Sequence, residues 1–170
     1  ENLQVSKKGP KDFVTNSDKK IEKILISELS KKRFSIISEE IGTLTKEDKN
    51  SFWVIDPIDG TTNFLHGIPH FAISIALKID DEIKSALIHD PIKNEIYYAE
   101  QNNGAYFNNH RIRVSQKNEV NDCLFVTGGK IYNEPDLPYR KSGCAALDMA
   151  YVASGRYDGY FQQNLNSKKK

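Results

Sequence analysis

From Phe71 to Ser115 the sequence breaks into short runs of alternating apolar and polar residues, "FAISIALKI", "EIKSALIHD", "NEIYYAE" and "GAYFNNHRIRV". Asp-Asp, Pro-Ile-Lys-Asn and Asn-Gly turn signals separate them. Alternation with period two gives each run one face for a core and one for solvent, and such short turns join neighbours that run in opposite directions. The stretch predicts an antiparallel meander.

Helical signals flank it. In "TNSDKKIEKILISELSKK", Ile21, Ile24, Leu25 and Leu29 recur at helical spacing, with Thr15 and Asp18 placed as a capping box. "FSIIS" (34–38) and "SFWVI" (51–55) are β-prone runs that stop at Glu39 and Glu40 and at Asp56, so two strands deliver carboxylates from their C-terminal ends. "CLFVTGG" adds a strand, and "SGCAALDMAYVASGR" reads as a helix of small residues stopped by Gly155. The final "SKKK" reads as a solvated tail. Strands and helices in this order predict an α+β fold of helix and sheet layers, with the sheet largely antiparallel.

Composition narrows the function classes. A chain of 170 residues can bury the core of one domain, or of a small domain with an appendage. Lys+Arg number 24 against 23 for Asp+Glu, so no net field draws in nucleic acid or an anionic membrane, and neither is expected as a direct partner. No apolar run approaches the roughly eighteen residues of a membrane span, and "ENLQVSKKGPK" lacks the apolar core of a secretory signal. Cys123 and Cys144 have neither metal-type nor redox-type spacing, which suits a reducing compartment, so a cytoplasmic location is expected.

The two carboxylates of "DPIDG" admit two readings. Asp, then Pro, then Gly is ordinary turn chemistry. Gly60, Thr61 and Thr62, however, look like the entry to a helix, where unpaired N–H groups attract an anion. Acids beside an anion site repel it unless a cation lies between them. Asp56, Asp59 and one or two of Glu39 and Glu40 would supply hard oxygen ligands to Mg²⁺ next to a phosphate.

These same residues carry a family resemblance. "WVIDPIDGTTNFLHGIPHFAISIAL" closely resembles the aspartate signature of the inositol monophosphatase family, within the lithium-sensitive, Mg²⁺-dependent sugar phosphatases. "KGPKDFVTNSD", "IISEE" and "SGCAALDMAYVASGRYDGYF" are similar to its N-terminal segment, its strand-ending glutamates and its late helix and strand. The resemblance implies a layered αβαβα fold. Residues 1–120 would form an N-terminal subdomain carrying the metal and phosphate site, and 121–170 an incomplete second one.

The resemblance also implies roles. Glu39, Asp56 and the Ile58 carbonyl would hold one metal, Asp56 and Asp59 would share a second, and two or three Mg²⁺ ions would be bound in all. Thr61 and Glu39 would orient a metal-activated water, with Asp18 as a further catalytic acid unless it merely closes the capping box. Asp59, Gly60, Thr61 and Thr62 would border the phosphate; Gly143, Ala145 and Gln162 align with positions that meet the substrate alcohol. The implied activity is hydrolysis of inositol monophosphate or a related small polyol phosphate, by a homodimer. His66 and His70 lack the HExxH context and read as structural or as supports behind the metal ligands, and Asp148 reads as a capping or hydrogen-bonding rather than catalytic acid.

Four departures accompany the match: no helix precedes Glu1, "KIYNEPDLPY" is short where the family carries a further helix, Gln162 replaces a common glutamate, and a late Trp-Asp motif is missing. Omission of segments from a longer chain is the favoured explanation, since a domain lacking core elements would expose large apolar faces; a truncated relative is the other. A catalytically weak relative serving as a binding or assembly subunit is the alternative function.

Overall fold

The structure, a computed structural model, describes residues 5–9, 12–129, 131 and 136–162. The "SKKK" tail and most of "KIYNEPDL" lie outside them. β1 (Val5–Gly9) and β2 (Asp12–Thr15) form an antiparallel pair where the sequence showed only a polar start, and α1 (Asn16–Leu29) follows directly. The side chain of Thr15, and with it the capping box, falls outside the description.

The main sheet contains eight strands. In chain order these are β3 (Phe34–Ser38), β4 (Gly42–Leu44), β5 (Asp48–Asp59), β6 (Ala72–Ile79), β7 (Glu82–Asp90), β8 (Glu95–Glu100), β9 (Gly104–Phe107) and β10 (His110–Arg111), with the short helix α2 (Thr61–Leu65) between β5 and β6. Their spatial order is β10-β9-β8-β7-β6-β5-β3-β4. Every pairing is antiparallel except that of β3 with β5. The meander thus takes its predicted form. Its turns are built by Asp80 and Asp81, by Asn94, by Asn102 and by Asn108 and Asn109, all with positive φ, which short polar side chains tolerate best.

A second sheet is wholly parallel, with β11 (Phe125–Thr127) between β12 (Tyr139–Lys141) and β13 (Gly159–Tyr160). The helix α3 (Ala145–Ala153) ends where expected: Ser154 closes it and Gly155, at φ +73°, turns the chain away, with its N–H donating to Val152 O at 3.0 Å. Ala72 of β6, Cys144, and Ala146 and Leu147 of α3 form a buried cluster against which Ile88 packs, so α3 lies on the main sheet. Arg156, just past α3, grips Glu95 of β8 through both Nη atoms at 3.0 and 2.9 Å and lies over the rings of Tyr97, Phe107 and Tyr151.

The predicted apolar stripe of α1 needs correction. Ile24 is 57% exposed, whereas Asp18 and Glu22, one turn apart, are 2% and 0% exposed. The helix turns a pair of carboxylates toward the sheet, with Leu25 and Leu29 continuing that face. Glu22 Oε1 accepts hydrogen bonds from Ser38 Oγ, from Glu40 N at 3.2 Å and from Ile41 N at 3.0 Å. A buried acid on α1 therefore gathers the polar groups at the end of β3.

Candidate active site

β3 and β5 are parallel neighbours in which Ser38 lies beside Ile55, and Glu39 N continues the pairing by donating to Ile55 O at 3.3 Å. The two strand ends consequently present Glu39 and Asp56 at adjacent positions. β5 does not stop at Asp56, as the sequence suggested, but runs on to Asp59 through an irregularity in its pairing with β6. Asp56 faces Ser74 and Asp59 faces Ala72, so Pro57 and Ile58 stand opposite the single residue Ile73. A bulge admits a proline that a regular ladder would exclude.

Within the bulge, Ile58 N donates to Asp56 Oδ1 at 3.2 Å and Thr61 Oγ1 donates to Ile58 O at 3.0 Å. Asp56 thus shapes the backbone locally, and Asp56 and Asp59 emerge from one distorted strand end. Gly60, at φ +89°, then turns the chain into α2, whose first internal bond runs from Phe64 N to Gly60 O at 3.0 Å. The amides of 61–63 precede that bond.

Asp59 is engaged from the second layer. Its Oδ2 accepts from Ala146 N at 2.6 Å and from Cys144 Sγ at 3.1 Å, both at the head of α3. Gly60 and Gly143 meet across the same junction: a Cβ on Gly60 would lie 3.2 Å from Cys144 Cβ and 3.3 Å from Gly143 O. Burial and the neighbouring Asp59 charge push the Cys144 thiol far up from its ordinary range. Asp148 is completely buried and accepts from Ser142 Oγ at 2.5 Å, while its Oδ2 has no hydrogen-bond partner among the described residues. Desolvation raises its carboxyl to about 6, with the Asp59 charge adding to the shift.

The remaining predicted residues fall around this centre. Asp18 is buried on α1. Thr62 uses its carbonyl to accept from His66 N at 3.3 Å, and His66 Nδ1 lies 2.8 Å from the same oxygen, a local helix-end contact that fits the structural reading of this histidine. His70 sits edge-on to Tyr151 with its Nε2 buried and without a hydrogen-bond partner among the described residues, and burial lowers its pKa. Ala145 opens α3, and its Cβ would lie 3.8 Å from a Cβ on Gly128. Gln162 packs over Gly129, and Tyr160 Oη donates to its Oε1. The Gly128–Gly129 turn, Ala145 and Gln162 thus share the end of the parallel sheet.

The donors available to a cation are carboxylates and a backbone carbonyl at neighbouring strand ends, a set whose hard oxygens fit Mg²⁺ better than a soft metal. Among the described residues, no three His, Cys, Asp or Glu side chains are gathered into a ready-made cage. The hydrogen bonds from Ala146 N and Cys144 Sγ both fall on Asp59 Oδ2.

The model of the Inositol monophosphatase family matches residues 1–169. The chain belongs to that family. An inositol-1-monophosphatase of Rhizobium meliloti is 42% identical, the match covering 97% of this chain and 68% of that protein. The Nus factor SuhB of Escherichia coli K12 is 40% identical, over 96% of this chain and 67% of its own length. The crystal structure of the extragenic suppressor protein SuhB from Bartonella henselae superposes with a TM-score of 0.90 at 44% identity, covering 96% of this chain and 69% of that one. Membership in the inositol monophosphatase family supports a phosphatase on an α+β fold.

Three residues at this centre escaped the sequence reading. Glu22 was signalled only by its spacing from Asp18, four positions along one helix. Asn63 and Cys144 lie inside quoted motifs, but Asn63 Nδ2 donates to Ser142 O, 79 residues away, and Cys144 Sγ to Asp59 Oδ2, 85 residues away, and no local pattern announces these contacts.

Proposed function

We propose that the chain carries the metal and phosphate site of a Mg²⁺-dependent phosphomonoesterase that converts inositol monophosphate, or a related small polyol phosphate, to the alcohol and inorganic phosphate. The observation that supports it most is the Thr61 hydroxyl donating to the Ile58 carbonyl beside Asp56 and Asp59. A hydroxyl whose proton is given to a carbonyl meets a water as an acceptor.

Glu39, Asp56 and the Ile58 carbonyl would hold one Mg²⁺, and Asp56 with Asp59 a second, out of two or three. Bound Mg²⁺ lowers the pKa of water and neutralises charge on the leaving oxygen. Thr61 and Glu39 would accept hydrogen bonds from the attacking water and orient it toward phosphorus. The Gly60 and Thr61 amides would face the phosphate oxygens, with Thr62 beside them, and Asp18, buried on α1, would be a further catalytic acid. The water oxygen bonds to phosphorus as the bond to the alcohol oxygen breaks, one water proton ends on the leaving alcohol and the other stays on the phosphate, and no side chain bonds to phosphorus. Gly143, Ala145 and Gln162 border the alcohol. In this reading 1–120 form the site-bearing subdomain and 121–170 part of a second, in a cytoplasmic, lithium-sensitive homodimer.

Phosphate release should be measured with Mg²⁺ on inositol monophosphates, other sugar phosphates, histidinol phosphate and adenosine bisphosphate. Release from polyol phosphates is expected, and release from none of them overturns the enzyme reading. The relatives named Nus factor SuhB favour a second reading, a binding or assembly subunit. Calorimetry separates the two: an enzyme binds Mg²⁺ saturably and more tightly with phosphate present, whereas an assembly subunit shows little metal dependence and associates with a protein partner.

A further inference from the structure

Asn63 is 7% exposed, and its Nδ2 donates to two carbonyls from opposite sides, His70 O at 2.8 Å and Ser142 O at 2.9 Å. Both acceptors are carbonyl oxygens, so only the NH₂ end of the amide can face them, and both of its hydrogens are used. One carbonyl belongs to the loop that enters β6, the other to the turn that leads into α3. The Asn63 backbone carbonyl also closes the 63–68 turn, accepting from His66 N at 3.1 Å and Ile68 N at 2.9 Å. Against the same side chain lies Gly143, at φ +88°, where an added Cβ would stand 3.1 Å from both Asn63 Nδ2 and Oδ1. Three residues beyond Gly143, the Ala146 amide reaches Asp59 Oδ2.

We propose that Asn63 is a positioning residue that fixes the Ser142–Ala146 turn against the Asp59–Thr61 segment, and so sets the orientation of the Asp59 carboxylate. The proposal rests on the phosphatase reading above for its kinetic consequence, but its structural content does not. Without the amide, two half-buried carbonyls lose this donor, and the turn that supplies the Ala146 N–H is free to withdraw. A small displacement of one reacting group is enough to cost roughly 100-fold in rate.

The test compares Asn63→Ala, Asn63→Ser, which keeps a single donor, and Arg156→Gln, which breaks the Glu95 contact of the same α3 region away from the site. In the purified full-length protein, amide hydrogen exchange at Ala146, Mg²⁺ binding by calorimetry, and kcat and KM are measured. Asn63→Ala is expected to speed Ala146 exchange about tenfold or more, to weaken Mg²⁺ binding, and to lower kcat about tenfold or more with a smaller change in KM; Asn63→Ser should fall between it and the parent. Arg156→Gln should lower Tm and leave the other readouts unchanged. Parental Ala146 exchange in Asn63→Ala, or the same losses in Arg156→Gln at equal Tm, overturns the proposal. If Asn63→Ala does not fold, Asn63→Ser is judged by the same criteria. If the parent releases no phosphate, the proposed function fails, and Ala146 exchange alone decides the role of Asn63.

Discussion

Ala146 N–H donates to Asp59 Oδ2 at 2.6 Å, joining positions 87 residues apart in the chain. A carboxylate proposed to share a cation thereby also caps the first turn of α3, where the helix leaves its amides unpaired. Asp59→Asn retains an oxygen able to accept from Ala146 N and Cys144 Sγ but loses the charge. It should fold with near-parental Tm and lose Mg²⁺-dependent phosphate release. Asp59→Ala should lose activity and, in addition, about 1–3 kcal/mol of stability in urea denaturation, because the Ala146 amide is left without its acceptor. Equal stability of the two variants would show that the cap contributes nothing.

Asp56→Asn separates ligation from local shape in the same way. The amide oxygen can still accept from Ile58 N, so the bulge should persist. Turnover should vanish, since the charge assigned to both cations is gone. Near-parental activity in this variant would remove Asp56 from the proposed ligand set.

Glu22 offers a purely structural measurement. One buried oxygen accepts from Ser38 Oγ and from the amides of Glu40 and Ile41. Glu22→Ala strips all three donors of their partner and should cost about 2–4 kcal/mol in denaturant unfolding. Glu22→Gln, which keeps an acceptor at the same point, should cost clearly less. Similar losses would mean that packing, rather than these hydrogen bonds, fixes the end of β3.

The meander was legible because its information is local: period-two alternation and turns of Asp and Asn with positive φ are written in consecutive residues. α1 was legible as a helix but not in its orientation, since hydropathy assigns Ile24 inward and solvent outward to Glu22. Donors at and just beyond the end of β3 reverse that preference by bonding one oxygen of the Glu22 carboxylate. The extension of β5 through Pro57 was hidden because proline ordinarily ends a strand, and only pairing with β6 reveals the bulge. The contacts of Asn63, Cys144 and Asp59 with the head of α3 span the two sheets, and no pattern of neighbouring residues encodes them.

Asp148 predicts a pH dependence of unusual sign. Its folded carboxyl titrates near about 6, above its ordinary 3.8, because the folded state buries it beside Asp59. Between these values the folded chain binds the proton more tightly than the unfolded one, so this group's contribution to stability falls as pH rises from about 4 to about 6 and stays unfavourable above. Asp148→Asn keeps an acceptor for Ser142 Oγ and cannot ionise. In metal-free buffer it should be more stable than the parent at pH 7, with the difference shrinking toward pH 4. A difference that is constant with pH would remove Asp148 as its source.

The two thiols should react very differently. Cys144 is wholly buried, with its sulfur donating to Asp59, and burial beside that carboxylate strongly disfavours the thiolate that an alkylating reagent needs. Cys123 is partly exposed, and its sulfur donates to the Glu119 carbonyl at 3.3 Å. Iodoacetamide on the native protein should therefore modify Cys123 and leave Cys144 intact until denaturant is added, as read by peptide mass spectrometry. Modification of both at comparable rates without denaturant would mean that the Ser142–Ala146 turn opens readily, and that Asp59 is not held in the orientation described.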